Sequence, residues 1–187
     1  NNNDDDLDGI PDCFETACGF YNDMPYYYWG ARPGYTDIFV QIDYMNTTGA
    51  TLTNSDLFVP AKESMDKMRK VFWDKSGAYK IHAHLDVGSL YVHPDQANVI
   101  VPDLYNLYAE DGGVAIKQGG TKYTFQSKID FDDLRATRRS HSHEKRYAQF
   151  HYQYNVYQFV SDPTDFGGRV GLGDVRGNTY AIASKLY

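Results

Sequence analysis

The chain has 187 residues, 42% of them hydrophobic, which suits one sizeable core and a single domain with a decorated terminus. Its formal net charge is −7, but six acidic residues and no basic one fall within the first fifteen positions, so the rest of the chain is close to neutral. A general attraction to nucleic acid or to an anionic membrane is therefore not expected, and no apolar run approaches the ~20 residues that a membrane helix needs.

The acidic opening, NNNDDDLDGIPDCFE, is the first element. Mutual repulsion leaves two readings, a solvated tail or a loop that collects a cation. Asp4, Asp6, Asp8, Gly9 and Glu15 fit the D-x-[DN]-x-[DN]-G-x5-E pattern of a Ca²⁺ loop residue for residue. In that pattern Asp4, Asp6 and Asp8 converge on one ion, Gly9 permits the sharp turn, Ile10 offers its carbonyl, Asp12 acts through water, and Glu15 closes the shell with both oxygens. Pro11 stands where paired loops exchange backbone hydrogen bonds, so a lone loop is expected rather than an EF-hand pair. The wording DLDGIPDCFE resembles the loops of thrombospondin type 3 repeats and of many secreted surface proteins, where calcium is structural. Residues 1–19 are accordingly expected to form a calcium-binding segment and residues 20–187 an α/β domain.

Cys13 and Cys18, the only cysteines, are expected to form a small disulfide, with buried thiols as the alternative. Calcium at millimolar levels and an oxidising medium both point outside the cell, at the cell surface or in secretion. The lack of an initiating Met and of a signal peptide leads to the expectation of a processed form or an excised portion.

TDIFVQIDYM alternates as a strand, with Ile38, Val40 and Ile42 on one face, after a turn at Pro33-Gly34. PAKESMDKMRKVFWDKSG places Ala61, Met65, Met68 and Phe72 at helical spacing. YKIHAHLDVG alternates again through Ile81, Ala83, Leu85 and Val87. Strand, helix, strand in this order predicts a βαβ unit and a mainly parallel twisted sheet. Gly119-Gly120 suggests a hairpin, and Ser127 with Asp130 a capping box for a short helix to about Arg139. KRYAQFHYQYNVYQFV is a further strand, and DFGGRVGLGDVRGNTYAIAS a glycine-rich loop leading into a last one.

This order of segments resembles the N-terminal portion of a family of secreted, metzincin-type zinc metallopeptidases. The matching stretches are TDIFVQIDYM with the MRKVFWD helix, IHAHLDVG, RYAQFHYQYNVYQ and GNTYAIAS. The resemblance implies a metzincin-like half fold and, next in line, an H-E-x-x-H-x-x-G-x-x-H helix that binds zinc. No H-E-x-x-H occurs in these residues, so no catalytic role passes to any of them.

His82, His84 and Asp86 alternate on one strand face and could hold Zn²⁺ with a further ligand such as His141, His143 or Glu144, although sheet faces carry such residues without metal. Arg135, Arg138, Arg139, Lys145 and Arg146 read by default as solvated helix charge. GLGDVRG lacks the Lys-Ser/Thr ending of a phosphate loop. Seventeen tyrosines, some clustered as in MPYYYWG, serve as core and rim residues and suit association surfaces. Together these readings predict a secreted, calcium-stabilised, non-catalytic module that associates with copies of itself, as a filament or surface layer, or with another surface protein. The alternative is the front part of a zinc peptidase whose active-site helix lies beyond residue 187.

Overall fold

Strand β1 (Tyr35–Asn46) is the axis of the fold, and its side chains divide the molecule into two unlike halves. The computed structural model describes residues 3–17, 19–46, 62–77, 80–88, 105–107, 112–113, 115–117, 124–125, 136, 138–140, 146, 150–156, 158–159, 171–173 and 179–183. After β1 come helix α1 (Lys62–Lys75) and strands β2 (Lys80–Asp86), β3 (Ala115–Lys117), β4 (Thr124–Phe125), β5 (Phe150–Val156), β6 (Gln158–Phe159), β7 (Gly171–Gly173) and β8 (Thr179–Ala183).

The main sheet runs β2-β1-β5-β8-β7, with β3 paired to the far end of β1. Strands β2, β1, β5 and β8 are parallel to their neighbours, while β7 is antiparallel to β8. The protein is thus α/β with a mainly parallel sheet, as the alternation of β1 and β2 around a helical segment leads one to expect.

Period-two alternation decides which face each residue serves. On the α1 side, Val40 and Ile42 of β1 pack with Ala83, Leu85 and Val87 and with Met65 of the helix, joined by Tyr105, Ile38 and Met68. Burying such side chains contributes ~1.5–3 kcal/mol each. Phe72 was expected to face inward, yet it is exposed, as are Val71 and Trp73 beside it. The last turn is held instead by Trp73, whose ring lies 5.5 Å from that of Tyr35 and 6.0 Å from that of His82.

On the opposite face, Phe39 and Phe150 meet Ile10, Met24, Tyr26, Trp29 and Ala31 from the N-terminal segment. Ile10 is 1% exposed. The acidic opening is therefore packed against the sheet and is not a solvated tail.

Two further expectations are corrected. β3 pairs with β1 and β4 pairs with β6, each in parallel, so the strands flanking Gly119-Gly120 do not form a hairpin with each other. The glycines themselves lie outside the described residues. GLG at 171–173 belongs to a strand rather than to a loop. Glycine offers no side chain to mark a strand in sequence, which is why a short pairing of this kind is read as loop. Residues 136 and 138–140 are helical, as expected for the end of the segment after Ser127. Among the described residues no helix is long and apolar enough to cross a membrane.

Candidate metal centre

The loop closes on itself through backbone and side-chain bonds before it meets the sheet. The amide of Asp12 donates to the carbonyl of Asn3 at 2.8 Å, that of Gly9 to Asp4 Oδ2 at 3.1 Å, and that of Ile10 to Asp8 Oδ1 at 2.8 Å. Gly9 adopts φ +93, the left-handed conformation that its place in the calcium pattern requires. Two carboxylates then reach across to the sheet. Gly34 N–H donates to Asp6 Oδ2 and Asp37 N–H to Asp8 Oδ2, both at 2.8 Å.

These bonds leave an excess of acceptors. Asp4 Oδ1, Asp6 Oδ1 and both oxygens of Glu15 are buried with no hydrogen-bond partner among the described residues. Glu15 is 0% exposed, and its carboxylate groups with those of Asp8 and Asp37, ligand atoms lying within 4.8 Å of one another. Asp4, Asp6 and Asp8 form a second such group that shares Asp8. Two carboxylates face each other stably only across a proton or a cation, since an ionised carboxylate is an acceptor alone. Accordingly burial, and then the neighbouring charge of Asp8, pushes the Glu15 carboxyl far above its usual range. Burial also pushes Asp8 up to about 7, against hydrogen bonds from Ile10 and Asp37, and it raises Asp6.

Of the loop residues, Asp4 and Asp6 thus gather with Asp8 in one group, and Glu15 with Asp8 in the other. Asp12 is turned elsewhere, accepting from Asp5 N–H at 3.0 Å and from the Asn3 side chain at 2.8 Å. Ile10 enters the core with its side chain. Asp37, which the sequence reading passed over, stands where Asp12 does not. Its signal was weak but present: an acidic residue at the head of an apolar strand, just past the Pro33-Gly34 turn.

The expected zinc trio divides. Register sets Asp37 opposite His82 and Phe39 opposite His84. His84 Nε2 lies 2.5 Å, and His82 Nδ1 3.5 Å, from Asp37 Oδ1. Burial, then His84, holds His82 down to about 4, so the ring is neutral at ordinary pH. Asp86 stands apart, further along β2, where it pairs with Arg146 and accepts the amides of Gly88 at 3.1 Å and Leu107 at 3.3 Å. Asp37 takes its place beside the histidines. His141, His143 and Glu144 lie outside the described residues, as does Cys18 of the expected disulfide with Cys13.

The basic cluster also behaves differently from its reading as solvated charge. Arg146 is fully buried, bonded to Asp86 and, at 3.2 Å, to Gln41 Oε1, with its guanidinium 3.9 Å from the Phe150 ring centre. Arg138 is buried too and donates to the carbonyl of Phe150 at 2.8 Å. Arg139 is exposed, and Arg135 and Lys145 lie outside the described residues. Comparison with protein-family models, with curated proteins and with solved structures finds no match for this chain.

Proposed function

We propose that the protein is a calcium-stabilised α/β module in which one Ca²⁺ site fastens the N-terminal loop to the head of the sheet. Asp4, Asp6, Asp8 and Glu15 would hold the ion together with the Ile10 carbonyl, and Asp37 would join them from β1. The single observation that carries this reading is Glu15, whose two buried oxygens have no donor among the described residues while Asp8 and Asp37 crowd the same space. Oxygen-only ligands of high charge suit a hard cation. Bound calcium would supply charge neutralisation and a cross-link between segments, which is a structural service and needs no catalytic step.

In this reading the chain is non-catalytic in itself and works outside the cell by associating with its own copies. Support for association comes from large apolar side chains left exposed, among them Phe20, Tyr28, Val71 and Trp73. Titration calorimetry of Ca²⁺ into the chelated chain tests the ion, with light scattering over a range of concentrations for association. Uptake of calcium with micromolar-to-millimolar affinity is expected. No uptake would remove the proposal's foundation, and a monomer at every concentration would remove association alone.

A second reading, the front half of a secreted metzincin-type zinc peptidase, rests on the sequence resemblance. The stretches that carry that resemblance supply β1, β2, β5 and β8, four adjacent parallel strands of one sheet. It requires an H-E-x-x-H helix in chain following residue 187, which the sequence of the intact gene decides.

A further inference from the structure

We propose that Asp37, His82 and His84 form a second metal site, for a divalent transition metal of the Zn²⁺ class, next to the acidic loop and sharing Asp37 with it. The parallel register of β1 and β2 puts the three side chains on one face, and their ligand atoms lie within 4.8 Å of one another. One carboxylate oxygen faces two imidazole nitrogens. The nearer, His84 Nε2 at 2.5 Å, is within hydrogen-bond reach, whereas His82 Nδ1 at 3.5 Å is beyond the usual range of roughly 2.7–3.2 Å. A single His-Asp hydrogen bond accounts for the first contact but gives no role to the second. A metal ion in place of the bridging proton engages both.

The ligands are held before any ion arrives. The His84 ring stacks on Phe39 at 4.4 Å and 14°. Behind it Gly30 leaves room that a side chain would fill, since a Cβ there would meet His84 Cε1 at 3.1 Å. His82 is flanked by Tyr35 and Trp73, with ring centres 6.4 and 6.0 Å away. Asp37 is aimed by the Arg32 amide, which donates to its other oxygen at 3.0 Å. Such outer contacts fix the ligand orientation that a metal site depends on.

Imidazole and carboxylate together suit Zn²⁺ and its neighbours better than Ca²⁺, which takes oxygen. Asp37 and His84 are buried while the His82 side chain is 29% exposed, so the remaining coordination position opens on the His82 side. Three protein ligands and an open position admit water or a small anionic ligand.

The test is a Co²⁺ titration of the intact chain in saturating Ca²⁺, followed by visible absorption and displacement with Zn²⁺. One equivalent of Co²⁺ with a visible ligand-field band is expected, weakened by at least about tenfold in His82→Ala and unchanged in Phe72→Ser, on the exposed last turn of α1. Equal binding by His82→Ala and the native chain would overturn the proposal, as would the absence of any band. Zn²⁺ added to the native chain supplies a readout that needs no variant. Imidazole NMR resonances of His82 and His84 should shift, and shifts confined to other histidines would refute the site. Because Ca²⁺ is in excess throughout, a failed calcium reading would show as an Asp4→Asn chain indistinguishable from native in calcium uptake, not as lost Co²⁺ binding.

Discussion

The two faces of the sheet are both buried but by different chemistry. On the α1 side the contacts are Val40, Ile42, Leu85, Val87 and Met65, with charge kept at the rim in pairs such as Lys62 and Asp66. On the other side the same two strands present Asp37, Gln41, Asp43, His84 and Asp86 to an interior that also holds Arg146 and Glu15. The first face is non-directional and indifferent to salt, metal and mild pH change. The second adds to the aromatic cluster around Phe39 and Phe150 a set of polar groups that are satisfied only while each charge has its counter-charge, donor or ion. The comparison teaches that only one side of the sheet carries a part of the stability that depends on ions and pH.

The largest effect is expected from breaking the polar face at its buried ion pair. Arg146→Met leaves Asp86 uncompensated and should cost about 3–5 kcal/mol in urea unfolding, and adding Asp86→Leu should return most of it. A double variant no better than the single would mean that Arg146 acts through its packing on Phe150 instead. On the apolar face, Leu85→Ala should cost about 3 kcal/mol, with the calcium response of the chain intact. A lost response would show that the two faces are not independent.

Calcium removal should act on the polar face alone. Saturation at a hundredfold above the dissociation constant contributes about 2.7 kcal/mol, and chelation withdraws it. Its pH dependence follows from Asp8, whose carboxyl is raised from 3.8 to about 7. A raised carboxyl stabilises the ion-free fold below its unfolded value, and that contribution is lost as pH climbs to about 7. Calcium needs the ionised form, so the melting-temperature gain on adding Ca²⁺ should grow between about pH 5 and pH 7.5. A gain that shrinks over that interval would place the ion elsewhere. Smallest of all, Phe72→Ser on the exposed last turn of α1 should change stability by no more than about 0.5 kcal/mol in the same unfolding assay.

The apolar face was largely legible in the sequence. Ile38, Val40 and Ile42, the helical spacing of Met65 and Met68, and Ala83, Leu85 and Val87 announce their faces because local period and hydrophobicity coincide. The clustering of Asp4, Asp6 and Asp8 was legible for a similar reason, since the loop pattern is a local string. Asp37 was not, because its meaning comes from a strand pairing that brings the side chain of His84, 47 positions away, against it. Arg146 was misread on the same ground: a lone arginine in a basic run looks solvated until Asp86 and Gln41 are brought around it. The short strands β3 and β7 carry three residues each, too few to show a period.

Glu15 is the residue on which calcium binding most directly depends, and scanning calorimetry of Glu15→Gln against the native chain at pH 7.5, in EDTA and in millimolar Ca²⁺, tests it. With the buried carboxylate replaced by an amide that can donate to Asp8 and Asp37, the variant in EDTA should melt no lower than native. In Ca²⁺ the native chain should rise by several degrees and the variant hardly at all, as expected of about 2 kcal/mol in a domain of this size. A native melting curve that ignores calcium, or a variant that is destabilised equally in both media, would contradict the claim that Glu15 is there to hold an ion.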